Sequence, residues 1–100
     1  MVEKLKEIIA RRVSLHPEDD FGRIKCWEEA LLLVKEDSEA VLNFINNVAT
    51  DEEVYWFSER LCEMYDLTQD ERYIDAFTSR AEHIADEEMK RSILQEVKYV

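Results

Sequence analysis

Three features predict an all-α fold. Apolar residues recur at helical spacing along almost the whole chain, glycine and proline occur once each (Gly22 and Pro17), and two Thr-x-x-Glu segments have the form of a helix-capping box. Tight β-hairpins call for Asn-Gly, Asp-Gly or Gly-Gly, and none occurs. At 100 residues and 46% hydrophobic content, the chain is expected to form one domain, 1–100, around a single modest core. Too much of it is apolar for the net charge of −11 to mean disorder. The expected architecture is an irregular bundle, or a short antiparallel stack, of five to six helices.

Val2, Leu5, Ile8, Ile9 and Val13 form a first stripe, which His16-Pro17-Glu18-Asp19-Asp20 breaks because Pro17 blocks helical continuation. Ile24, Trp27, Leu31 and Val34 form a second. Leu32 and Leu33 widen it, which predicts a central helix with neighbours on two sides. Asp37 or Ser38 can cap a third helix carrying Val41, Leu42, Ile45 and Val48. Thr50-Asp51-Glu52-Glu53 opens a fourth, running to about Asp66 with Val54, Phe57, Leu61, Met64 and Tyr65 inward. Thr68-Gln69-Asp70-Glu71 is expected to cap a fifth helix bearing Tyr73, Ile74, Phe77, Ala81 and Ile84. A last helix starts near Asp86 and carries Met89, Ile93 and Val97. The two capping segments lie 18 residues apart, but the residues after each cap do not match, so no repeat is inferred.

The sequence offers little chemistry. Glycine-rich phosphate loops and nucleophile elbows are missing, and neither His16 nor His83 stands in a zinc or di-iron spacing. Cys26 and Cys62 have no metal or redox spacing and read as reduced packing residues. With 24 acids, paired carboxylates arise by chance, and no cleft is implied that would split their pKa values. The expectation is a non-enzymatic protein without catalytic residues, metal or cofactor. Met1–Glu7 is amphipathic rather than continuously apolar, so no signal peptide or membrane span is expected, and a cytoplasmic protein is.

Charge is concentrated. Residues 51–71 hold eight acids and one base, Arg60. On a helical wheel Glu52, Glu59, Glu63 and Asp66 fall opposite the apolar stripe, with Tyr55 and Trp56 flanking them. The helix dipole accounts for acids in a first turn, but not for Glu59, Glu63 and Asp66. Aromatics beside a single-sign charge stripe suit the binding of a basic partner. The expected partner-binding residues are Glu52, Tyr55, Trp56, Glu59, Glu63, Asp66 and Asp70. The same acidity argues against direct binding of nucleic acid.

The run Tyr55-Trp56-Phe57-Ser58-Glu59, then Thr68-Gln69, then Tyr73-Ile74-Asp75-Ala76-Phe77 with Arg80 and Ala81, resembles small helical immunity proteins. These belong to bacterial polymorphic-toxin and contact-dependent growth inhibition systems, and the likeness covers about a quarter of the chain, 55–81. It implies a binder that neutralises a cognate toxin domain, often a nuclease, and Trp56, Glu59 and Thr68-Gln69 match the pattern. Two alternatives stand beside it. One is a nucleic-acid mimic that inhibits a DNA-binding nuclease. The other is a non-catalytic oligomerisation or adaptor domain whose Leu31-Leu32-Leu33-Val34 run makes subunit contacts. A monomer is favoured.

Overall fold

The computed structural model describes all residues, 1–100. Helical backbone accounts for 82% of them and there is no strand, so the fold is all-α. Helices α1 (Val2–Ser14), α2 (Asp20–Glu36) and α3 (Ser38–Asn43) come first, and α3 runs on into a wide π turn, Phe44–Val48. Helix α4 (Asp51–Phe57) passes through a tight 3-10 turn, Ser58–Arg60, into α5 (Leu61–Thr68). Helices α6 (Arg72–Glu82) and α7 (Glu87–Lys98) complete the chain. Counting continuous rods gives six helices. Helix α1 packs on α2 and α4, while α7 lies across α4, α5 and α6.

The predicted starts at Thr50, Asp37 and Asp86 hold. Thr50 accepts the Glu53 amide at 3.1 Å while the Glu53 carboxylate accepts the Thr50 amide at 2.8 Å, a complete capping box. Asp37 caps α3 and Asp86 caps α7. Asp19 caps α2 through the amide of Gly22, and a Cβ there would stand 2.6 Å from the Asp19 carboxylate. The only glycine in the chain therefore leaves room for a cap.

The expected Thr68 cap is corrected. Thr68 ends α5, its hydroxyl donating back to the Met64 carbonyl at 2.8 Å. Gln69 then adopts the left-handed conformation with φ 54° and closes the helix by donating its amide to Tyr65. Glu71 makes no cap bond to α6; the Asp70 carboxylate accepts the Arg72 amide at 2.9 Å instead. Thr-x-x-Glu records residue types but not backbone direction, and here the threonine lies on the wrong side of the break. The second stripe is also corrected: Cys26, Trp27, Ala30 and Val34 are buried, whereas Ile24 and Leu32 are exposed.

Twenty-two residues form one core. Phe57 is its hub: the ring stacks on Trp27 of α2 at 6.0 Å and meets Phe44 and Phe77 edge-on at 6.2 Å each. The π turn ends beneath α6, where the Arg80 guanidinium donates to the carbonyls of Ile45 (2.6 Å) and Ala49 (2.8 Å). Arg80 thus satisfies carbonyls that the ending helix leaves without partners. Tyr73 is fully buried, its hydroxyl 2.7 Å from that of Ser38, and burial pushes its pKa up. Replacing the hub, Phe57→Ala, is expected to cost about 3–5 kcal/mol of unfolding free energy, measured by urea denaturation.

Candidate functional site

The seven residues expected to form one acidic, aromatic face do not form one. The 3-10 turn at Ser58–Arg60 parts Glu63 and Asp66 of α5 from Glu52, Tyr55 and Trp56 of α4, and Asp70 lies beyond the end of α5. Three residues turning about 120° each, instead of about 100°, advance the helix by roughly 60°, so a single wheel does not describe 51–68.

Glu59 sits in that turn and points inward, which corrects its placement among outward carboxylates. Arg12 of α1 grips it with two hydrogen bonds, Nε to Oε2 at 3.1 Å and Nη2 to Oε1 at 2.7 Å. The Trp27 indole N–H of α2 donates to the same Oε2 at 2.9 Å. The Arg12 guanidinium also lies over the Trp56 ring, 5.0 Å from its centroid, and Tyr55 meets Trp56 edge-on at 5.5 Å. Both aromatics are half-buried against the core rather than fully in water. Glu59 and Trp56 therefore join α1, α2 and α4 from within.

Glu52 stands exposed on the rim of a shallow trough between α1 and α4, lined by Ile9, Val13 and Trp56. Its neighbour Glu53 is held by Lys6 at 2.7 Å. Burial opposes Glu53 ionisation, but the Lys6 ammonium and the Thr50 amide outweigh it and lower its pKa. Asp70 is engaged by Arg72, which also reaches Glu39 of α3, and the Arg72 hydrogen bond holds the Asp70 pKa low.

Glu63 and Asp66 share a different place, the groove between α2 and α5. Its volume is about 520 Å³, and Leu31 and Leu32 face Leu67 across it. Glu28 and Lys35 complete the lining. Glu63 also accepts from Arg60 at 2.9 Å, whereas Asp66 is exposed and in no ion pair. Sequence reasoning missed Glu28, Lys35 and Leu67. The signal available was the breadth of apolar residues on α2, more than one buried face can hold. No group of three or more His, Cys, Asp or Glu is placed to hold a metal ion. No helix is long and apolar enough to cross a membrane.

Comparison with protein-family models, curated proteins and solved structures returns no match.

Glu59→Gln removes the charge opposite Arg12, whose side chain is only 11% exposed, and Glu59 itself is 32% exposed. The partial exposure of Glu59 discounts the cost of a fully buried pair, so a loss of about 2–3 kcal/mol is expected in denaturant unfolding. Glu96 of α7 has its pKa raised by burial and by the neighbouring charges of Glu59 and Glu63, Arg60 opposing. A carboxyl with a raised folded pKa stabilises fully below its unfolded value and loses that contribution as pH rises through the folded one. Glu96→Gln should therefore raise the melting temperature at pH 7, and the gain over wild type should vanish below about pH 4.

Proposed function

We propose that the protein is an immunity protein: a non-catalytic binder that neutralises a basic toxin domain by covering it. The observation that carries this reading is the distribution of charges left over by the fold. Ion pairs within the chain engage six of seven arginines and one of six lysines, with nine carboxylates as their partners. Fifteen acids and six bases stay outside those pairs. A folded surface with that excess attracts a cationic protein, accelerates its approach and repels phosphate backbones.

A toxin that handles nucleic acid is cationic around its substrate, so the same field that repels the substrate draws the immunity protein to the enzyme. Association then needs only steric coverage to stop catalysis, and no reacting group from this chain. The resemblance across 55–81 supports the same reading. Its matching residues Trp56 and Glu59 would act there by shaping the fold rather than by touching the toxin.

The test mixes the protein with the product of a neighbouring reading frame that ends in a basic toxin-like domain. A complex is expected that abolishes the toxin's activity, with affinity falling at least about tenfold between roughly 0.05 and 0.3 M salt. No complex, or a complex that leaves the toxin active, overturns the proposal. An affinity indifferent to salt overturns its electrostatic basis.

A further inference from the structure

We infer that the groove between α2 and α5 is the docking site, and that it takes a cationic amphipathic helix presented by the partner. The inference rests on the binding function proposed above and adds the surface and the chemistry of its occupant. The outer face of α2 carries large apolar side chains that its own core does not use: Leu32 is 58% and Phe21 78% exposed. Ile24 lies between them on the same side. Phe21, Ile24 and Leu32 span about 17 Å of α2, and the groove shared with Leu67 takes the stretch from Glu28 to Lys35, about 10 Å. Apolar side chains clustered on one face of a charged protein mark an interaction site, and the groove with the exposed side chains beyond it suits two to three turns of a helix laid along α2.

The rim decides the occupant. Glu28, Glu63 and Asp66 stand around the apolar floor with Lys35, and Glu63 is already held by Arg60, so two free carboxylates face one free ammonium. Glu28 and Asp66 are in no ion pair within the chain, so their charges are free for a partner. A second copy of this chain would bring the same carboxylates against themselves across a two-fold axis. An anionic lipid surface would be repelled for the same reason. A helix with leucine-like residues at i, i+3, i+4 and i+7, flanked by lysine or arginine, buries the floor and neutralises the rim at once.

The probe is a synthetic helix of about 18 residues with leucine on one face and lysine on the other, titrated into isotope-labelled protein and followed by NMR. The control peptide has the same composition scrambled. Expected are shift changes confined to 21–35 and 63–67, weak or no binding of the scrambled peptide, and a loss of about tenfold or more in the Leu32→Asp/Leu67→Asp variant. Glu28→Lys/Asp66→Lys should weaken binding comparably. All four side chains are exposed, and unchanged circular dichroism and melting would verify that the variants fold. Shift changes centred elsewhere, equal binding of the scrambled peptide, or full affinity in both variants overturns the site. The apolar variant is also assayed against the toxin domain. If it neutralises as well as wild type, the groove is wrong while the binding function stands. If wild type fails to neutralise yet the peptide seats in the groove, the toxin reading fails and the docking site stands.

Discussion

The fold depends on a charged clasp between Arg12 and Glu59. Three helices meet there: α1 supplies the guanidinium, the turn between α4 and α5 the carboxylate, and α2 an indole N–H that shares Oε2 with the Arg12 Nε. Drawing the guanidinium and most of the carboxylate out of water is costly, and the pair persists because the carboxylate receives three hydrogen bonds and the guanidinium also has the Trp56 face. The geometry is also directional. A carboxylate that must meet donors from two separate helices fixes how α1 and α2 lie against α4, which apolar contact alone specifies loosely. The neighbouring stack of Phe57 on Trp27 then closes the core over it.

That clasp has a consequence for the surface. Turning Glu59 inward requires the tightened turn at Ser58–Arg60, and the turn rotates α5 relative to α4. Glu63 and Asp66 consequently face α2 instead of continuing the line begun by Glu52. The excess of negative charge that composition reports is therefore not one stripe. One part of it with apolar neighbours is the α2/α5 groove, where carboxylates and exposed leucines lie side by side.

The sequence carried the helical class and most helix boundaries because those are local properties: capping residues at Thr50, Asp37 and Asp86, the break at Pro17, and 3.6-residue periodicity. It carried less of the candidate site, since that is set by partners distant in the chain. Arg12 lies 47 residues from Glu59 and Trp27 lies 32 residues from it, and nothing in the run around Glu59 announces either. The wheel failed where the helix changed pitch, a departure written in tertiary packing rather than in Ser58-Glu59-Arg60. Thr68 failed for a related reason: a hydroxyl that bonds back to Met64 ends a helix as readily as it starts one. The exposed apolar face of α2 was half legible. Leu31-Leu32-Leu33-Val34 is too broad for one buried stripe, but which of its residues reaches solvent depends on α1 and α5.

Hydrogen exchange at the two indole N–H groups tests the inward Glu59 most directly. Trp27 is 2% exposed and its indole proton is held by Glu59, whereas Trp56 is half-buried against the Arg12 guanidinium. The expected result is slow exchange at Trp27, accelerated in Glu59→Ala, which removes the acceptor, and fast exchange at Trp56 throughout. Rapid exchange at both indoles in the wild-type protein would contradict the clasp and return Glu59 to the solvent face.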